Sequence, residues 1–273
     1  MAIRNPLLPI GVFDSGVGGL TVLRAMRAAL PAEDFLYLGD TARLPYGTKS
    51  PGTVSRYANQ AADRLAGRGI KCLVVACNTA SSVAIPSLVE RLAPIPVIGV
   101  IDPGADAAAR ATRRGRVAVI ATEGTVRGGA YPQAIAGLEP RVVVTQKACP
   151  LFVALAEEGW TDGPIVEAVA RRYLEPLFSG PAPADTLLLG CTHFPALVVP
   201  IRRVVGSDVV LVDSAETTAA ATAARLTAFG LRRGQGIGTV RLMATDGPER
   251  FARVGSVFAG EPIAAADVEL VDL

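Results

Sequence analysis

Apolar residues occur along the chain as short, nearly unbroken runs, separated by longer stretches in which apolar and polar positions mix. The runs at 10–13, 35–38, 72–75, 97–100, 117–120, 142–145, 186–189 and 209–212 read as strands. Between them, 19–30, 53–67, 104–113, 129–137 and 165–178 have helical length and composition. A last unit continues the pattern, with a helix over 216–229, a strand over 240–245 and a helix over 248–258. Strands that alternate with helices predict parallel sheets flanked by helices. The two halves also look alike. GVFDSG (11–16) opens one strand-turn-helix unit, about 63 residues before Cys77, and VAVIATEGT (117–125) opens another, about 69 before Cys191. The expected fold class is α/β: two similar domains with mainly parallel sheets, related by a pseudo-twofold and facing one another. Ligands in such folds lie beyond the carboxyl ends of the strands.

At 273 residues the chain has room for one large or two modest α/β domains. It is half apolar, with 28 Gly and 20 Pro, which indicates a compact protein with many tight turns. The net charge is only +2, and the densest basic group, Arg113, Arg114 and Arg116, reads as a solvated surface. Nucleic acid is therefore not the expected partner. No run approaches the roughly 18 apolar residues of a membrane span. Residues 1–6 lack the pattern of a signal peptide, so a cytoplasmic location and reduced thiols are expected. Cys72, Cys77, Cys149 and Cys191 contain no C-x-x-C pair, and Cys191-Thr192-His193 alone is a poor zinc signature, so no metal is expected.

Two words share one design: LVVACNTAS (73–81) and LLLGCTHFP (187–195). Each is an apolar run ending in a small residue, a cysteine, and then hydroxyl or amide side chains. Paired thiols on similar frameworks suit a cofactor-free racemase, in which one thiolate removes a proton and a thiol on the opposite face returns one. Cys77 falls at a strand end and helix start, where the helix amino terminus favours a thiolate. Packing as a small hydrophobe is the plainer alternative and suits Cys72 better. Cys149, before Pro150 and without a hydroxyl partner, also reads as structural.

The turn FDSGVGGLT (13–21) brings backbone N–H groups to a helix start. In dinucleotide register its last position is Thr21, Asp14 would repel a pyrophosphate, and there is no Walker lysine. A small zwitterion fits better, with Asp14 near an ammonium or a thiol and Ser15 as a hydrogen-bond partner. A glycine turn with Asp14 as helix cap is the alternative. The loop DTARLPYGT (40–48) either closes over a pocket or is a solvent turn. His193 is the chain's single histidine and stands two residues after Cys191. It can take up that thiol's proton or hold it as a thiolate, so Asp14 would assist Cys77 and His193 would assist Cys191. The lysines, Lys49, Lys71 and Lys147, lack a phosphate-cup context for pyridoxal phosphate, and no cofactor is expected. Two competing readings remain. A hydrolase or decarboxylase built on Cys191 and His193 leaves Cys77 unexplained, and a non-catalytic amino-acid-binding protein leaves both thiols without a purpose.

With these words in order, the chain resembles the glutamate racemases of the aspartate/glutamate racemase superfamily. GVFDSGVGGLTVLR, YLGDTARLPYGTKS, VVACNTASS, GVIDPGA, ACPLFVALAEEG, LLLGCTHFP and LVDSAETTA carry the likeness through almost the whole chain. The resemblance implies cofactor-independent interconversion of L- and D-glutamate, supply of D-glutamate for peptidoglycan and hence cell shape, and a homodimer. It implies that Cys77 acts on D-glutamate and Cys191 on L-glutamate. Asp14, Ser15, Tyr46, Gly47, Asn78, Thr79, Thr122, Thr125, Thr192 and His193 would line the ligand site, with Pro45 and Glu157 close by. It implies a discontinuous first domain, 1–98 plus 207–273, and a second at 99–206. Ala121 and Gly128 depart from the family pattern, where glycine and serine are more usual. Activation by a peptidoglycan precursor is not expected, because the amino-terminal extension associated with it is missing.

Overall fold

The computed structural model describes residues 5–273; the expected lack of a signal peptide rests partly on residues 1–4, which lie outside them. Four strands open the chain: β1 (Ile10–Asp14), β2 (Phe35–Gly39), β3 (Cys72–Val75) and β4 (Val97–Gly99). Four more follow: β5 (Arg116–Ala121), β6 (Val143–Ala148), β7 (Thr186–Gly190) and β8 (Val210–Asp213). Two final strands, β9 (Val240–Ala244) and β10 (Val268–Leu270), return to the first group. The strands form two sheets, ordered β10-β9-β2-β1-β3-β4 and β6-β5-β7-β8, and every pairing is parallel. The first four strands of each half are thus wound in the same order, second-first-third-fourth.

Helices join them: α1 (Leu20–Ala29), α2 (Pro51–Gly67), α3 (Asn78–Leu92), α4 (Ile101–Ala111), α5 (Glu123–Gly128) and α6 (Ala130–Leu138). The rest are α7 (Pro150–Glu157), α8 (Pro164–Phe178), α9 (Val198–Val205), α10 (Ser214–Ala228) and α11 (Pro248–Ala259). Because helices cover both faces, strands such as β1, β3 and β7 are buried at every position and read as continuous apolar runs. Alternate residues feed opposite layers. Val12, Tyr37 and Val74 join α1 and α11 in one cluster, whereas Phe13, Leu38 and Val75 join α2 and α3 in another. The first of these clusters continues through Ala215, Ala219 and Leu226 of α10 to Ile120 and Leu189 of the second sheet. The two lobes therefore share one apolar core along the side where α1 packs on α10.

Several boundaries differ from the sequence expectation, each for a local reason. The helix expected over 104–113 starts at Ile101, because Pro103 sits in its first turn, where no N–H is needed. The helix expected over 129–137 is α6, and a short helix that was not expected, α5, precedes it, the two separated by Gly129 at φ 64°. β6 runs to Ala148 through Thr145, Gln146 and Lys147, polar residues acceptable at a sheet edge. β10 is only three residues long and was not legible as a strand before its pairing with β9. β8 pairs with β7, so the last strand of the second sheet is Val210–Asp213.

Candidate active site

A cavity of about 410 Å³ opens where the carboxyl ends of both sheets meet. Cys77 follows β3 and Cys191 follows β7, and both line it, one from each lobe. Each keeps 5 % exposure, whereas Cys72 and Cys149 are sealed at 0 %. That difference separates the two thiols a ligand can reach from the two that only pack.

Cys77 caps α3. Its backbone is extended, and its sulfur accepts the N–H of Ala80 at 3.4 Å. The thiol in turn donates to Ser15 Oγ at 3.3 Å. Burial, aided by the charges of Asp14 and Cys191, pushes the Cys77 thiol up to about 12, although hydrogen bonds that the Ser15 hydroxyl and the Ala80 N–H can give to the thiolate oppose this. On the other lobe, His193 Nδ1 lies 3.8 Å from Cys191 Sγ and Nε2 lies 3.1 Å from Glu157 Oε1. Burial alone would lower the imidazole, but Cys191 and Glu157 outweigh it and carry His193 up to about 10. Glu157 on Nε2 thus favours the charged imidazole and turns Nδ1 toward Cys191.

Asp14, at the end of β1, is 1 % exposed and sits behind Ser15 and Gly16 rather than on the cavity wall. Its Oδ2 accepts the Gly16 N–H at 2.9 Å, while Oδ1 has no partner. Burial raises its carboxyl above 3.8, against the pull of His193 and the N–H groups of Gly19, Gly16 and Ser15. The glycines of this turn serve close packing. A Cβ on Gly18 would lie 2.4 Å from Thr192 Oγ1 and 2.5 Å from His193 Nδ1, and one on Gly19 would lie 2.5 Å from Asp14 Cβ. The turn therefore lets the two lobes touch where the second thiol's histidine sits, which is a different use from cradling a phosphate.

The hydroxyls of Thr79, Thr122 and Thr125 form a triangle across the lobes, with edges of 2.9, 3.1 and 3.3 Å. Thr79 and Thr122 line the cavity, whereas Thr125 is fully buried behind them. Asn78 donates from Nδ2 to Tyr131 Oη at 2.8 Å, and its Oδ1 is buried without a partner. Tyr46 lines the cavity, but its hydroxyl donates to Asp40, a fully buried carboxylate that also accepts from Arg43 and Thr245. Burial and Asp40 push the Tyr46 phenol far above its usual value, so it stays a donor. That network seats the loop carrying Pro45, Gly47 and Thr48 on the cavity.

The Asp/Glu/Hydantoin racemase model matches residues 10–222. The chain belongs to that family. It is a racemase, an isomerase. It is 54 % identical over 261 residues to a glutamate racemase of Geobacter metallireducens, covering 93 % of this chain and 94 % of that protein. The structure of a Thermus thermophilus glutamate racemase in complex with β-chloro-D-alanine superposes with a TM-score of 0.88 at 46 % identity, covering 98 % of each chain. A Francisella tularensis glutamate racemase in complex with D-glutamate gives a TM-score of 0.90 at 36 % identity, also covering 98 % of each chain.

Of the residues expected from the sequence, Ser15, Pro45, Tyr46, Gly47, Asn78, Thr79, Thr122, Glu157, Thr192, His193 and both thiols converge on the cavity. Asp14 and Thr125 stand one layer back. Sequence reasoning missed Pro150, Val153 and Ala154, an apolar wall on α7. With Glu157 they follow i, i+3, i+4, i+7, so the helical period was the available signal. It also missed Arg250, whose guanidinium reaches Glu157 from α11 and which no local pattern marks. Among the described residues, no group of three or more His, Cys, Asp or Glu is placed to hold a metal. Among the described residues, no helix is long and apolar enough to cross a membrane.

Proposed function

We propose that this protein interconverts L- and D-glutamate by a two-thiol mechanism without a cofactor, and so supplies D-glutamate for peptidoglycan. The observation that carries the reading is the pair of reachable thiols, one from each lobe, on a single cavity, each with its own hydrogen-bond partner. The relatives named glutamate racemase, and the D-glutamate in the Francisella tularensis complex, supply the substrate.

The partners of the two thiols suit them to opposite roles. Burial favours the thiol form of Cys77, which suits it to donate, while His193 Nδ1 beside Cys191 can take up that thiol's proton and free it as the base. Cys191 takes the Cα proton, charge passes into the α-carboxylate, and Cys77 returns a proton to the other face. The reverse reaction starts with these two states exchanged, and the resemblance assigns the Cys191 start to L-glutamate. No Arg or Lys lines the cavity among the described residues, so the carboxylates would be received by neutral donors such as Ser15, Asn78, Thr79 and Thr192. Fixed hydrogen bonds of this kind stabilise an enolate-like transition state most when water is excluded.

The test follows the circular dichroism of L-glutamate with purified protein and no added pyridoxal phosphate. Wild type loses the signal and incorporates one solvent deuterium at Cα in heavy water. Cys77→Ala and Cys191→Ala should each lose about 10³-fold or more in turnover. Wild-type rates in both variants would rule out the two-thiol mechanism, and aspartate turned over faster than glutamate would rule out the substrate.

A further inference from the structure

Arg250 stands on α11, beside the first sheet, and donates to Glu157 Oε2 at 2.8 Å. The other oxygen of the same carboxylate, Oε1, is 3.1 Å from His193 Nε2. A single carboxylate on α7 of the second lobe is therefore shared between an imidazole of its own lobe and a guanidinium of the other. Phe258, also on α11, places its ring edge-on to the imidazole with centroids 4.9 Å apart. The helix thus meets the active-site histidine twice, directly through an apolar ring and indirectly through an ion pair.

The chemistry explains why sharing matters. His193 has to accept and return a proton at Cys191, so its charged form must not be held too tightly. Glu157 has only 16 % of its side chain exposed, and a poorly hydrated carboxylate holds a neighbouring imidazolium strongly. Two cations on one carboxylate compete for its charge. We infer that Arg250 is a positioning residue for this reaction, acting through Glu157: by occupying one carboxylate oxygen it limits the hold on His193 and leaves the imidazole able to exchange a proton with Cys191. The inference rests on the roles given above to Cys191 and His193.

The charged and titratable groups around the imidazole come from every element packed on it. Asp14 ends β1, Cys191 follows β7, and Glu157 ends α7. Cys77 and Glu123 share the cavity wall, and Glu249 and Arg253 flank Arg250 along α11. Of these, Glu157 alone bonds both to the imidazole and to Arg250.

Because the chain contains one histidine, ¹⁵N-histidine labelling of protein purified without a histidine tag reports His193 alone. Arg250→Met should raise its titration midpoint by about half a pH unit. The alkaline limb of kcat/KM for glutamate should move the same way. Arg250→Lys keeps the charge and should stay near wild type. Glu157→Gln should lower the midpoint, and adding Arg250→Met to that background should then shift nothing further. An unmoved or lowered midpoint in Arg250→Met overturns the inference, as does a full-sized shift that survives in Glu157→Gln. The ring titration is read without substrate, so a wild type that leaves glutamate unchanged defeats the functional reading, while the coupling of Arg250 to His193 through Glu157 is judged by the titration alone.

Discussion

Burial of the Asp14 carboxylate next to a reachable thiol costs stability that the fold does not recover locally. Its carboxyl is raised above 3.8, so the folded chain holds this proton to higher pH than the unfolded chain does. The sign follows: as pH rises from about 3.8 through the raised value, the unfolded state ionises first and Asp14 subtracts from stability. Asp14→Asn is neutral at every pH and escapes that penalty. Urea unfolding should show the variant more stable than wild type near pH 7, with the gap closing toward pH 4. Racemisation should fall in the same variant, the expected conflict between stability and a poised site. An Asn variant less stable than wild type at neutral pH would show that the N–H bonds of Gly16, Gly19 and Ser15 matter more than burial. Asp14 was legible from its turn, but its place behind the cavity wall was not, since that depends on Gly18 and Gly19 closing against Thr192, His193 and Asp14 itself.

Helix starts carry most of the site. Cys77 caps α3, Asn78 and Thr79 form its first turn, and Thr122 caps α5 with its hydroxyl on the Thr125 N–H. These two starts meet through the threonine triangle, so the lobes are registered by hydroxyls on the cavity wall. Thr125→Val keeps the shape and removes one corner. Loss of a buried hydrogen-bond partner of this kind costs about 1 kcal/mol. The larger effect should fall on KM for glutamate, as Thr79 and Thr122 lose their orientation, with kcat changed less. Steady-state kinetics that show the reverse split would place Thr125 in the chemistry rather than behind it. These starts were legible because each is a strand end followed by small polar residues. α7 was not, because its apolar face, Pro150, Val153 and Ala154, looks the same whether it meets a core or a cavity.

On the scale of the whole molecule, a ligand in this cavity touches both sheets at once and should bind only the folded, closed arrangement. Glutamate at about 100-fold over its Kd should then stabilise the fold by about 2.7 kcal/mol. A chain with both Cys77→Ala and Cys191→Ala isolates this effect from turnover, and its thermal midpoint should rise with either enantiomer. A rise with neither would mean that the thiols themselves carry binding. Mirror symmetry adds a constraint on every variant described above. The two enantiomers have equal free energy, so kcat/KM must stay equal in both directions however unlike the surroundings of the two thiols are. Any effect of the unlike surroundings of Cys77 and Cys191 is therefore expected in isotope exchange and in kcat and KM separately.

By itself the sequence determined the α/β class and the parallel winding, and it set Cys77 and Cys191, which line the cavity, apart from Cys72 and Cys149, which are sealed in the core. These depend on local causes: unbroken apolar runs, glycine turns, and polar residues at strand ends. Only the tertiary structure decided that Thr125 and Asp14 stand behind the wall, that β8 closes the second sheet, and that Arg250 reaches Glu157 across the lobes. Each of these depends on which surfaces meet after the chain has folded, and contacts between residues far apart in sequence leave no trace in local pattern.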